Sequence, residues 1–278
     1  MLRSAFLAAA FLAAAPAFAQ TGPEALPDPN DQSDTFSIGA GAGIIPDYEG
    51  SDDYEFIPVA GLRGRWNGIN FYTRGTYLYV DLIRRGEGEL EFDFGPIAGV
   101  RLNRTGKVDD DAVDALPERD AAIEVGGYGG VTYHGLTNPY DALGFHVDVI
   151  TDVGGAHGST LITPTIDFAT PLSTTTYVGV SLSAEWAGDG YADYYFSIDP
   201  NGSLASGLPQ FEADGGFKHW RLGLFANQAI SGDLLGGWSI FGIGLYTKLS
   251  GDFADSPIVD DRGSSSQWFG ALGVAYTF

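Results

Sequence analysis

The sequence predicts an all-β protein, a single antiparallel transmembrane β-barrel. Three observations carry the prediction: an export signal at the N-terminus, a succession of period-two segments long enough to cross a hydrocarbon layer, and an aromatic C-terminal residue on the apolar face of the last segment.

Arg3 supplies a positive charge, Ala5 to Ala15 an apolar run, and Ala17-Phe18-Ala19 a small-residue cleavage pattern before Gln20. The expected organisation is a signal peptide over 1–19, a flexible periplasmic lead-in over 20–34 and a barrel over 35–278. The lead-in, QTGPEALPDPNDQSD, is Pro-rich and acidic with no apolar period. The apolar run is too short for a spanning helix, and no other stretch reaches the roughly 18 to 20 apolar residues one requires.

The chain holds 14 Lys+Arg against 36 Asp+Glu, a formal charge of −22; removing residues 1–19 takes one cation and no acid, leaving −23. Such a surface repels nucleic acid. There is no cysteine, so disulfides and thiolate metal sites are excluded. Forty glycines and 13% aromatic residues suit strands that curve and end in aromatic girdles.

Alternation places Phe56, Pro58, Ala60, Leu62 and Trp66 opposite Glu55, Arg63 and Arg65. In 89–103, Leu90, Phe92, Phe94, Pro96, Ala98, Val100 and Leu102 oppose Glu91, Asp93 and Arg101. In 142–152, Leu143, Phe145, Val147 and Val149 oppose His146, Asp148 and Asp152. The tail puts Trp268, Gly270, Leu272, Val274, Tyr276 and Phe278 on one face and ends there. Trp268, Leu272, Val274, Tyr276 and Phe278 therefore read as an insertion signal for the barrel-assembly machinery of a Gram-negative outer membrane.

Short periplasmic turns are expected near Ile230–Gly236, Pro171–Thr175 and Gly135–Tyr140, and longer outer loops at 104–120, 187–214 and 251–265. Splitting 67–83 near Arg74-Gly75 gives 12 strands; leaving it whole gives 10. Gly39–Gly43 and Gly126–Gly130 lack a following helix, so they read as close strand approach rather than a phosphate-binding loop.

Several segments resemble the MltA-interacting protein/OmpV (MipA/OmpV) family of outer-membrane proteins. They include Pro46-Asp47-Tyr48-Glu49-Gly50-Ser51-Asp52-Asp53-Tyr54, Val108 to Val113, Ala205 to Pro209, LSGDFADSPIVDDR over 249–262, and the Phe278 tail. The resemblance spans essentially the whole mature chain. It implies a transmembrane barrel, and for the family's best-known member a scaffold that joins a lytic transglycosylase to a bifunctional murein synthase; other members are described as porin-like or adhesin-like.

Asp47, Glu49, Asp52 and Asp53 in the first outer loop, with Asp109, Asp110 and Asp111 in the second, read as a solvated acidic rim. Alternatively they take a divalent cation such as Ca²⁺ or bridge through it to lipopolysaccharide. Arg63, Arg65, Glu91, Asp93, Arg101, Glu124, His134, His146, Asp148 and Arg221 are expected in the lumen, where charges either pair and fill the interior or line an aqueous path. Aromatics near strand ends fit interfacial belts, and the Tyr191–Phe196 cluster offers a sugar platform as the alternative. Histidines 134, 146, 157 and 219 and Ser159 come with no nucleophile signature, so catalysis is not expected. The functional expectation is a non-enzymatic scaffold for cell-wall enzymes, with a small-solute or antibiotic-permeable channel and an adhesin as alternatives.

Overall fold

A computed structural model describes residues 33–84 and 88–278. The expected signal peptide and most of the expected lead-in lie outside the described residues.

The strands are β1 (Thr35–Pro46), β2 (Tyr54–Trp66), β3 (Ile69–Arg74), β4 (Tyr77–Asp81), β5 (Leu90–Arg101), β6 (Ala122–His134), β7 (Ala142–Asp152), β8 (Thr160–Pro171), β9 (Thr176–Ala187), β10 (Gly216–Ala229), β11 (Gly237–Leu249) and β12 (Ser266–Thr277). Each pairs antiparallel with its sequence neighbour, and β1 closes on β12 from Ser37↔Thr277 to Ile44↔Gly270, giving a closed 12-stranded barrel. The split of 67–83 is real: β3 and β4 form a short hairpin through Gly75-Thr76. Asn67 (φ 52°) and Gly68 (φ 79°) make the tight β2–β3 turn, a conformation that favours Asn-Gly.

Both ends of the barrel chain, Thr35 and Phe278, lie on the side of the short turns, the periplasmic side in outer-membrane barrels. The outward face is apolar because alternation sends Leu90, Phe92 and Phe94 out and Gly95 and Ile97 in. Two aromatic belts bound that face. The outer one contains Trp186–Phe217 and Trp220–Tyr246–Trp268; the periplasmic one contains Trp238–Tyr276–Phe278 and Phe36. Trp268 and Tyr276 are eight residues apart on β12, about 27 Å along the strand and roughly 20 Å along the barrel axis at the usual tilt. The belts thus match a thin hydrocarbon layer.

Close approach fixes some positions as glycine. A Cβ at Gly95 would lie 1.8 Å from the Val80 carbonyl oxygen, and one at Gly126 1.9 Å from that of Val149. The Gly-rich runs therefore serve backbone packing.

The longer outer loops hold local helical structure. They contain five short helices: α1 (Asp111–Asp114), α2 (Asp189–Phe196), α3 (Pro200–Ser206), α4 (Asp252–Asp255) and α5 (Pro257–Asp260). None is long enough to show a helical hydrophobic period, and capping marks two of them. Asp110 accepts from the Ala112 and Val113 amides at the start of α1, and Asp199 accepts from Gly202 before the Pro200-led α3. The loops bury a core of their own: Tyr48, Val113, Leu116, Tyr191, Tyr195, Phe196, Phe253, Ile258 and Val259. Together they form a cap over the outer mouth.

Candidate functional site

The seam between cap and barrel wall is built around a bulge. In the β9–β10 pair, Trp186 opposes Phe217 and Glu185 opposes His219, so Lys218 is an extra residue in β10. The bulge turns Lys218 inward beside His219, and both are 1% exposed. The Lys218 ammonium lies 2.8 Å from Glu49 Oε1 and 2.7 Å from Glu185 Oε1, and it donates to the Tyr191 hydroxyl at 3.0 Å. Tyr191 in turn donates to Glu49 Oε2 at 2.5 Å. Wall, first loop and cap helix α2 thus meet at one ammonium.

Arg101 also lies against Tyr191, donating to its hydroxyl at 3.4 Å with its guanidinium carbon 5.1 Å from the ring centroid, while the Lys218 ammonium is 4.3 Å from that centroid. Arg101 grips Glu124 with two bonds of 2.9 and 3.2 Å. Glu124 also accepts from the Tyr77 hydroxyl and from His157 Nε2 at 2.8 Å. The Ser159 amide donates to His157 Nδ1 at 3.2 Å, so the neutral tautomer with its proton on Nε2 satisfies both contacts. Ser159 meets the histidine with its backbone N–H, which does not make a nucleophile–base pair.

Burial pushes the Glu49 carboxyl up, but Lys218 and Arg101 more than offset it and hold Glu49 below its ordinary range. Burial, with Glu49 and Glu185 nearby, pushes the Tyr191 hydroxyl well up, so it stays a donor at neutral pH. Asp110 is held low: mild burial opposes its charge, and Arg262 at 2.6 Å with the α1 amides outweighs it.

Deeper in the lumen, Arg74 donates toward His146 Nε2 at 2.8 Å and lies 3.9 Å from Asp148. It sits over Tyr72 and Tyr79, which stack at 5.0 Å, and Tyr79 donates to Asp148 at 2.8 Å. Toward the periplasm, Arg65 donates to Asn70 at 3.0 Å, and Thr132 donates to Asp93 at 3.2 Å. Glu91 lies 2.8 Å from His134 Nε2. Arg63 faces inward between Ser37 and Tyr72, and Arg221 donates to Thr247 at 2.9 Å.

The expected lumen residues Arg63, Arg65, Glu91, Asp93, Arg101, Glu124, His146 and Asp148 are thus distributed over three levels rather than gathered in one site. The acidic residues of the outer loops divide. Asp52, Asp53, Asp109 and Asp111 are exposed; Glu49 enters the seam, Asp47 accepts from the Asp109 amide at 2.7 Å, and Asp110 caps α1. Tyr191, Tyr195 and Phe196 are fully buried in the cap core, so they offer no open platform to a sugar. Sequence reasoning missed Lys218, Glu185 and Arg74. The adjacent pair Lys218-His219 within an alternating strand was the available sign of a bulge.

Two of the segments that carry the family resemblance, 46–54 and 249–262, pack together with the residues that follow the second. Tyr48 donates to the carbonyls of Ile258 and Arg262 at 3.1 and 3.3 Å, and the Ser264 amide donates to Gly50 at 2.8 Å. A Cβ at Gly50 (φ 105°) would lie 2.4 Å from Val259 Cγ2, and one at Gly263 1.9 Å from the Gly50 oxygen. Both motifs are cap-closing contacts.

The chain is 24% identical over 257 residues to MltA-interacting protein of Escherichia coli (strain K12), covering 87% of this chain and 90% of that one. The Shigella flexneri protein of the same name gives the same figures. Among solved structures, an outer membrane channel from Pseudomonas putida F1 aligns with a TM-score of 0.46 at 13% identity, over 93% of this chain and all of that one. OmpT, an outer membrane protein of Vibrio cholerae, aligns at 0.38 and 8% identity, over 88% and 97%. The family profile of MltA-interacting protein MipA matches residues 38–278. The chain therefore belongs to the MltA-interacting protein MipA family of outer-membrane barrels.

Proposed function

We propose that this protein is a non-enzymatic scaffold that holds a lytic transglycosylase, and through it a murein synthase, at the inner face of the outer membrane. The observation that carries this reading is the folded cap at the outer mouth. A folded cap with its own apolar core is locked to the wall by Lys218, Glu49, Glu185 and Tyr191, and charged side chains on the levels below engage one another. Such a barrel is built to stay shut, which leaves its periplasmic rim as the working surface. That rim exposes Leu136, Leu172 and Ile230 at or beside its turns, and the relatives' name supplies the class of partner. The test is binding of a purified transglycosylase of the MltA type to the detergent-folded barrel on a sensor surface. Saturable binding that falls when Leu136 and Leu172 are replaced by Ser supports the scaffold; no binding by a folded barrel rejects it.

A gated channel is the second reading, favoured by one observation: the seam between α2 and the wall is ionic and hydrogen-bonded rather than purely apolar, so a change of charge at Glu49 can release it.

A further inference from the structure

We propose that Asp81, Glu91 and Asp93 form a binding site for a hard divalent cation, Ca²⁺, at the periplasmic end of the lumen. Among the described residues, this is where three carboxylates converge: one oxygen of each lies within 4.8 Å of one from each of the others. The exposed acids of the outer loops do not converge in this way.

Asp81 is the second observation. It ends β4 and is 2% exposed, and its Oδ1 accepts from the Ile83 amide at 2.9 Å and the Phe94 amide at 3.2 Å. These bonds replace ladder partners at the strand end and fix the carboxylate plane. Oδ2 is buried without a hydrogen-bond partner; Asn70, opposite across the β3–β4 pair, offers a polar contact short of hydrogen-bond geometry. A buried carboxylate oxygen left in this way calls for a cation or a proton.

The other two ligands are also oriented. Thr132 holds one oxygen of Asp93 at 3.2 Å, and His134 holds Glu91 at 2.8 Å, the arrangement by which outer groups aim metal ligands. An all-oxygen donor set selects Ca²⁺, Mg²⁺ or Mn²⁺ over softer metals. Among these, Ca²⁺ accepts carboxylates in irregular, flexible geometry, whereas Mg²⁺ demands near-ideal octahedral geometry and keeps several of its waters, so three carboxylates fixed on neighbouring strands suit Ca²⁺. The ion would tie the end of the short β4 strand to β5, beside the connection that leads from one to the other.

The experiment is isothermal titration of the folded mature barrel, stripped with EDTA, with CaCl₂. One saturable site is expected, weakened about tenfold or more by Asp81→Asn and by Asp93→Asn, and unchanged by the outer-loop double variant Asp109→Asn/Asp111→Asn. Absence of stoichiometric binding, binding unaffected by both lumen variants, or binding lost only in the outer-loop variant overturns the proposal. Should the lumen variants fail to show heat-modifiable mobility, hydrogen exchange on the wild-type barrel decides. Added Ca²⁺ must slow exchange in 78–95, and protection appearing instead in 104–120 rejects the site.

Discussion

Lys218 and Glu49 lie 2.8 Å apart although one sits on a barrel strand and the other in the first outer loop. Because Tyr191 of the cap bonds to both, this pair couples the closure of the mouth to the wall. Replacing Lys218 by Met keeps the volume but leaves Glu49 and Glu185 facing each other without their shared cation. The expected cost is about 3–5 kcal/mol, concentrated in the cap. Hydrogen exchange should rise in 188–215 and stay level in β5–β7; uniform exchange across the barrel would show that the pair does not control the cap.

The seam and the cap of α1 together set an acid limit. Glu49 and Asp110 have folded-state pKa values below their ordinary 4.5 and 3.8, so each contributes stability that is complete above those values and is lost as pH falls through the lower folded-state ones. The cap should hold from neutral pH down to about 4.5 and loosen below it. Protease sensitivity of 104–120 and 188–215 between pH 7 and pH 3, with an acid-active protease, checks this; a cap that loosens between pH 7 and 5 would contradict the assignment.

Gly95→Ala should prevent assembly, because the added methyl would stand 1.8 Å from a backbone oxygen that no rotamer change can move. A cost of at least about 3 kcal/mol is expected. Refolding into detergent with no heat-modifiable band is the predicted outcome, whereas Gly244→Ala, which meets nothing within 4 Å, should refold normally.

Phe278 is 70% exposed and touches Phe36 and Tyr276 at ring distances of 5.9 and 4.8 Å. Phe278→Ala should therefore change barrel stability by only about 1 kcal/mol in detergent. If the tail is the insertion signal, the same variant should sharply reduce the amount reaching the outer membrane in cells. Equal losses in both assays would assign Phe278 a packing role alone.

Alternation made the wall legible. Glu91, Asp93 and Arg101 point inward because Leu90, Phe92 and Phe94 must point out, and the turns at 135–141, 172–175 and 230–236 followed from loop length. The cap was not legible: Phe253 and Ile258 lie on four-residue helices with no period to betray them, and Glu49 reads as one acid among several. Lys218 was hidden because a bulge breaks the very alternation used to assign faces. Asp81 meets Glu91 and Asp93 across a connection whose length gives no clue to the meeting.

Single-channel recording of the mature barrel in planar bilayers tests the central claim, a mouth closed by its own folded loops. A heat-modifiable protein that passes no current at neutral pH, and begins to conduct only when Lys218→Met releases the cap, is the predicted result. Stable, cation-selective steps from the unaltered barrel at neutral pH would contradict it.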